Sequence, residues 1–391
     1  MQSIKKKIIL FSLFCLYIIM LLIVAELIIR TFLPQPIFKH DNQLEYVPPI
    51  FAQSDYLPWQ LKANSSALHY AITDEFIVNV TINSAGYRDQ DFKIKKLRNT
   101  KRIIFLGDSY VFGFGVELNE TFHQIIKRKL SEKNKSYEII NAGYKGNFAE
   151  DTEYLYLKKE GIKLNPDVVL LAITLSNDFD DINTNKLYYN SSDNLYKAES
   201  LVHYIDNQSR LRFKQSQESQ NFIKRALYKI NLVLSYKSHL YILLKDTFRN
   251  ILYTFYYGKY QNVYSNNYTE EINSSFAKVM NYTIKINELA KKNKAILVLI
   301  LIPDKRAVYE YKIKDTNSDI LNWTKPSEEI KRIAEKNNIT VIDVLPDLKD
   351  YVNTHNQEMI YFKVDPHWNS KGHKIAAEAI YSKLKSLKII N

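Results

Sequence analysis

The sequence predicts an α/β fold, a parallel sheet covered on both faces by helices, and two observations predict it. Apolar runs of strand length alternate along the chain with segments of helical periodicity, the pattern of strand–helix–strand units. The runs are apolar at nearly every position, as strands buried on both faces require. At 391 residues, 46% hydrophobic and 25% charged, the chain is globular in composition and long enough to bury a full core.

In order, the alternation predicts a strand pair within Ser66–Ile82, a strand at Arg102–Leu106, a helix at Glu120–Leu130 and a strand at Tyr137–Ile140. A helix at Glu150–Glu160 and a strand at Val168–Thr174 follow. The second half predicts a helix at Ile272–Lys292, a strand at Ala295–Ile302, a helix at Ser327–Asn337, a strand at Ile339–Ile342 and a closing amphipathic helix at Ser370–Leu387. In such sheets ligands bind beyond the carboxyl ends of the strands.

Two regions stand outside this rhythm. Residues Ile8 to Ile29 are almost continuously apolar and, at ~1.5 Å per residue, long enough to cross a ~30 Å hydrocarbon core. Lys5, Lys6 and Lys7 precede the run and place the amino terminus in the cytoplasm, with everything after Arg30 outside, in the periplasm or at the cell surface. A cleaved signal peptide is the alternative, but its apolar core is about 7–15 residues and ends in small residues. Here the run ends in Ala25-Glu26-Leu27, which favours an uncleaved anchor. Cys15, the only cysteine, lies inside the run, so no disulfide or cysteine metal site forms within one chain. Phe14 before it argues against a lipidated cysteine. The five prolines Pro34, Pro36, Pro48, Pro49 and Pro58 mark a stiff linker, so residues 31–100 read as linker and strand extension and 101–391 as the main domain.

The second region is an insertion at about 185–272, expected to be helical. No proline or glycine occurs between Asp167 and Tyr257, and Ile223, Leu227, Ile230 and Leu234 keep helical spacing. From Arg210 to Tyr260 ten basic residues face two acidic ones, and seven tyrosines share the stretch, so it holds +8 of the chain's net +12. A basic aromatic cap for a membrane surface or an acidic glycan is one reading; a helical insertion with its own aromatic core and solvated lysines is the other. An outward-facing domain excludes nucleic acid as the partner of this charge.

The chemistry is carried by separated pieces. The strand Ile103-Ile104-Phe105-Leu106 runs into Gly107-Asp108-Ser109, which puts a serine at the mouth of the sheet with its backbone N–H able to donate to an anion. A serine hydroxyl needs a base within hydrogen-bond reach. Asp365-Pro366-His367-Trp368 offers one: proline holds the preceding residue extended, so Asp365 and His367 project to the same side. The carboxylate would fix the imidazole tautomer and steady its charged form. His373 reads instead as a surface or packing residue of the last helix. Attack on an ester leaves negative charge on the carbonyl oxygen, for which pre-aimed donors matter. Candidates are the Ser109 and Gly146 N–H groups and the Asn177 side-chain amide, at the ends of successive strands. Gly146 could equally make a turn and Asn177 cap a helix.

Gly107-Asp108-Ser109, Gly146, Asn177 and Asp365/His367 together resemble the four blocks of the SGNH/GDSL hydrolase superfamily, over roughly residues 100–180 and 290–390. Ser176 stands where the family usually has glycine before asparagine. The Asp-x-His-Trp spacing is similar to the bacterial branch associated with acetylation or deacetylation of cell-surface polysaccharides, alginate acetylation proteins included. The segment Asn83-Ser84-Ala85-Gly86-Tyr87-Arg88-Asp89 is similar to one often found ahead of that core. The resemblance implies a three-layer α/β/α domain with five parallel strands in a flavodoxin-like arrangement. It implies an esterase acting through Ser109, His367 and Asp365, or an O-acyltransferase in which a sugar hydroxyl replaces water. One spanning segment is too little to carry an acyl group across a membrane, so a transferase would need a separate membrane-bound acyltransferase. A non-catalytic glycan-binding protein on the same fold is the third reading. No cofactor or metal is expected: G-x-x-x-x-G-K-[ST], G-x-G-x-x-G and H-E-x-x-H are absent.

Overall fold

The computed structural model describes residues 2–39, 45–132, 136–190, 195–214, 222–256, 263–309 and 321–390. The chain divides into two units. One comprises Met1–Asp41, Ile72–Asp74 and Gln215–Tyr257; the other holds Asn42–Ala71, Glu75–Lys214 and Gly258–Asn391.

The larger unit is built on five strands: β1 (Lys101–Gly107), β2 (Tyr137–Gly143), β3 (Val168–Thr174), β4 (Ile296–Ile302) and β5 (Thr340–Asp343). All pair in parallel, in the order β2-β1-β3-β4-β5, the flavodoxin-like order. Every residue of β3 and all but the first of β1 and β4 are buried, which is why these runs read as continuously apolar. Helices pack as partners over the sheet, Phe122–Ser131 with Ser370–Ser386 and Glu150–Lys159 with Glu270–Lys292. Each sits within a few residues of its expected place. A helix at Leu345–Thr354, for which no periodicity was read, follows β5.

β1 lies between β2 and β3, so the chain turns to opposite sides of the sheet after it. The crevice at this switch point opens at the carboxyl ends of the strands, where Gly107 pairs with Gly143. Ahead of β1, Ser65–Tyr70 and Ile77–Ile82 form an antiparallel pair joined by Tyr46–Val47. Ile77–Ile82 alternates exposed and buried residues as a one-sided strand does.

The insertion differs from its helical expectation over its first part. Two antiparallel hairpins occupy it, Asn185–Asn190 with Leu195–Ser200 and His203–Ile205 with Leu211–Phe213. Short runs rich in tyrosine and leucine satisfy strand and helix patterns alike, and here cross-strand pairing prevails. The helical part belongs to the smaller unit: Phe222–Lys237 and His239–Tyr256. The side chains of Lys224 and Arg225, two of the ten basic residues counted from Arg210 to Tyr260, lie outside the described residues. The same unit holds the helix Gln2–Phe32, whose stretch Ile4–Phe32 is long and apolar enough to span a membrane, with its apolar side chains exposed.

Candidate active site

At the switch point Ser109 meets the Asp365/His367 pair, His367 lying 258 residues further along the chain. The Ser109 Oγ lies 2.6 Å from His367 Nε2, and His367 Nδ1 lies 2.6 Å from Asp365 Oδ1. An ionised carboxylate only accepts, so Nδ1 carries the ring proton and Nε2 is left to accept from the serine hydroxyl. Burial, the largest influence on Asp365, pushes its carboxyl up; the His367 charge and the hydrogen bonds from His367 outweigh it, and the group rests below the ordinary aspartate value.

Each member is held by local structure. After Gly107 the chain bends into a single helical turn, Ser109–Phe112, capped by Asp108, which accepts from the Tyr110 N–H. A side chain at Gly107 would meet Val111 Cγ2 at 2.4 Å, so only glycine allows the turn to fold back so closely. Pro366 predicts an extended Asp365 before it, but the segment is bent. Asp365 Oδ1 also accepts from the His367 backbone N–H at 2.9 Å, which brings acid and imidazole to one side. The Asp365 and Val364 N–H groups donate to Glu75 at 2.9 and 2.7 Å. The Tyr110 hydroxyl donates to the Pro366 carbonyl at 2.8 Å, tying the serine turn to the Asp-Pro-His segment. Phe114 stacks on the His367 ring at 4.2 Å and 25°, and Trp368 is fully buried behind it. His373 is buried and accepts from the Phe122 N–H at 3.3 Å, which makes it a packing residue and not a surface one.

Gly146 and Asn177, two of the expected oxyanion donors, lie in the loops that follow β2 and β3. Gly146 has φ +100°, and a Cβ there would lie 2.4 Å from the buried Trp59 ring, whose Nε1 donates to the Lys145 carbonyl. The Asn177 amide does something its residue type did not announce: its nitrogen donates to Asp108 Oδ2 at 3.1 Å and to Asp181 Oδ2 at 2.7 Å. Asp181 also accepts from Asn147 Nδ2 at 2.6 Å, so one carboxylate holds both loops in place. Ser176, in the family's glycine position, donates to Asn177 Oδ1 at 3.1 Å and leaves the amide nitrogen facing the two acids.

Beneath these loops Asp108, Glu150, Asp151, Glu153 and Asp178 are all nearly fully buried. Burial first, and then their mutual repulsion, pushes these carboxyls up: Glu150 to about 8, Asp151 and Asp181 to about 7. Several therefore carry protons at neutral pH. Among the described residues, no group of three or more histidines, cysteines or carboxylates is arranged to hold a metal ion.

Sequence reasoning did not find Glu75, Tyr110, Trp59, Asp181 or Lys145 as parts of this region. The first four act through hydrogen bonds to backbone or to another side chain, which leave no local pattern. Lys145 pairs with Glu45 and lies over the Tyr46 and Phe114 rings; burial lowers its ammonium to about 7. The Arg88 of the quoted Asn83–Asp89 segment is buried, with its guanidinium donating to the carbonyls of Phe112, Gly113 and Val116. It stitches the loop after Ser109, while Asp89 accepts from the Asn141 N–H. Replacing Arg88 with leucine leaves those carbonyls without donors and is expected to cost about 3–5 kcal/mol. Urea denaturation of the chain from about residue 35 would measure it; a loss below ~1 kcal/mol would contradict the stitching role.

Residues 263–391 match the model of the family described as SGNH hydrolase-like domain, acetyltransferase AlgX. The match is to the SGNH hydrolase-like class and covers the carboxy-terminal third of the chain. Within that class, the AlgX acetyltransferase branch is the one its carboxy-terminal third resembles. Among solved structures, the acetyl xylan esterase AlAXEase is similar, at 15% identity and a TM-score of 0.39, over 72% of this chain and 99% of that one. A two-domain esterase (CEX) active on acetylated mannans gives 12% identity and a TM-score of 0.40 over 75% and 50%. The esterase EstA from a Pseudoalteromonas species gives 10% and 0.38 over 74% and 100%. At such scores the fold rests on the strand order, not on these neighbours. Comparison with curated proteins gives no match.

Proposed function

We propose that this chain is a membrane-anchored serine esterase that removes O-acyl groups, acetyl above all, from cell-surface carbohydrate outside the cytoplasm. The observation that supports it is the unbroken hydrogen-bond chain from Ser109 Oγ through the His367 ring to Asp365. In this reading Ser109 attacks the acyl carbonyl as His367 Nε2 takes its proton. The oxyanion is met by the Ser109 and Gly146 N–H groups and by Asn177, whose amide turns from one of its two carboxylates as charge develops. His367 returns the proton to the leaving alcohol, and a water activated by the same ring then releases acetate. The helix Gln2–Phe32 supplies the anchor, with the three lysines on the cytoplasmic side.

The match to an acetyltransferase domain favours a second reading on the same residues. There a sugar hydroxyl takes the place of water, and a separate membrane-bound acyltransferase supplies the acyl group. Exclusion of water and placement of the acceptor decide between the two. Incubating the chain from about residue 35 with an activated acetyl ester and acetate-free oligosaccharides, then following products by mass spectrometry, separates them. Free acetate alone is the expected result for the esterase, and acetylated oligosaccharide for the transferase. Product formation unchanged in Ser109→Ala would remove the basis of both.

A further inference from the structure

The pair of helices Phe222–Lys237 and His239–Tyr256 is not absorbed by the acyl chemistry, and its corner is bonded to one point of the helix Gln2–Phe32. Glu26 accepts from the Ser238 hydroxyl at 2.8 Å and from the backbone N–H groups of His239 and Leu240 at 3.1 and 2.9 Å. These are the first free donors of His239–Tyr256, so Glu26 caps that helix from another part of the chain. Arg30 neutralises Glu26 at 2.9 Å and donates onward to the Lys237 carbonyl at 2.7 Å. The chain leaving the first helix stays at the corner: the Phe38 N–H donates to the Ser235 carbonyl, and the Gln35 N–H to the His239 ring.

This connection sets a depth. If Ile8–Ile29 fills the hydrocarbon, Glu26 lies about 5 Å inside its outer edge, at ~1.5 Å per residue. A carboxylate at that level is costly unless its oxygens are satisfied, and the corner of the helix pair supplies the donors. The corner must therefore sit at the outer boundary of the bilayer whenever Gln2–Phe32 spans it. The helices leading away carry apolar side chains that are more than half exposed. Leu227, Ile230 and Val233 fall within one face of the first, Leu244 and Phe248 one turn apart on the second, and all five are between 54% and 62% exposed. Lys229 and Lys237 are exposed on the same pair.

We infer that this helix pair is an interfacial hairpin: it lies in the headgroup layer of the outer leaflet, apolar face toward the acyl chains, pinned at its corner by Glu26. The occupant of the exposed apolar face is phospholipid, because the corner of the pair is bonded to the span at Glu26, three residues from the end of its apolar run. Exposed lysines favour anionic headgroups at such a surface. The proposal rests on the anchor reading above and goes beyond it.

The test uses the full chain with Cys15→Ser in vesicles of phosphatidylethanolamine and phosphatidylglycerol. Single nitroxide labels are placed at Ile230→Cys, Phe248→Cys and, in the span, Ile18→Cys. Collision with oxygen, which concentrates in lipid, is compared with collision with a water-soluble nickel chelate. Labels at 230 and 248 are expected to favour oxygen severalfold, as the label at 18 does. Oxygen preference at 18 with chelate preference at 230 and 248 overturns the hairpin and leaves the anchor standing. Chelate preference at all three overturns both. Adding Glu26→Ala is expected to lower the oxygen preference at 230 and leave that at 18 unchanged; an unmoved value at 230 overturns the pinning by Glu26.

Discussion

Replacing Ser109 with alanine is expected to lower the turnover of an activated acetyl ester by on the order of 10⁶-fold, and Asp365→Asn by about 10⁴-fold. The difference follows from the geometry. Ser109 supplies the attacking oxygen, and nothing else in the hydrogen-bond chain can replace it. Asp365 acts through His367: its Oδ1 accepts from Nδ1 and so leaves Nε2 as the acceptor facing Ser109 Oγ. Asparagine at 365 keeps the shape but can present an N–H to the ring, which reverses the tautomer. Initial rates with the chain from about residue 35 measure both effects. Double replacement should cost no more than Ser109→Ala alone, because the residues act as one unit. Losses that multiply would show that Asp365 works independently of Ser109.

The second large effect is on stability against pH, and it arises from the buried carboxyls beneath the loops. Glu150 near 8 and Asp151 and Asp181 near 7 hold protons in the folded chain that the unfolded chain has already released above about pH 4–5. The folded state binds more protons, so these groups contribute stability that is fully present at low pH. That contribution is lost as pH rises through their folded values. The buried histidines work the other way. Burial holds His69 and His123 well below the ordinary value and His373 near 3, so their contribution is present above about pH 6.5 and lost as pH falls below it. Between pH 6.5 and 8 the histidines are almost constant. Lys145, lowered to about 7, works in the opposite sense as a single group. The several raised carboxyls outweigh it, so the melting temperature is expected to fall across that window. Glu150→Gln, which keeps the shape and removes the charge, should flatten the slope. It should also stabilise the domain at pH 8 by roughly 2–4 kcal/mol. Thermal melts at half-unit pH steps would show it; a melting temperature that rises from pH 6.5 to 8 would contradict the assignment.

The framework was legible in the sequence because its signals are local. Val168–Thr174 is apolar at nearly every position because it is buried on both faces, and the strand reads off directly. Ser109, Asp365 and His367 stood out as candidates because each sits in a short pattern: a glycine before the turn, a proline between acid and imidazole. Two kinds of feature were not. The hairpins at 185–213 lack alternation strong enough to outweigh helical spacing, and only pairing decides them. The supports of the site, Glu75 under the Asp365 backbone and Asp181 between Asn147 and Asn177, are single acids in polar loops whose partners lie far along the chain. Asn177 shows the limit most plainly. Its residue type marks a donor, but no spacing tells that both of its bonds go to carboxylates.

The most direct test of the central claim, that Ser109 is a nucleophile raised by His367, is covalent capture. A fluorophosphonate reacts with a serine oxygen only when a base takes its proton. Intact-mass spectrometry of the treated protein, followed by peptide mapping, should find one adduct, on the peptide that carries Ser109. Labelling should be lost in Ser109→Ala and in His367→Ala. A protein that stays unlabelled under conditions where a known serine esterase is fully modified, or one labelled at another residue, would contradict the account.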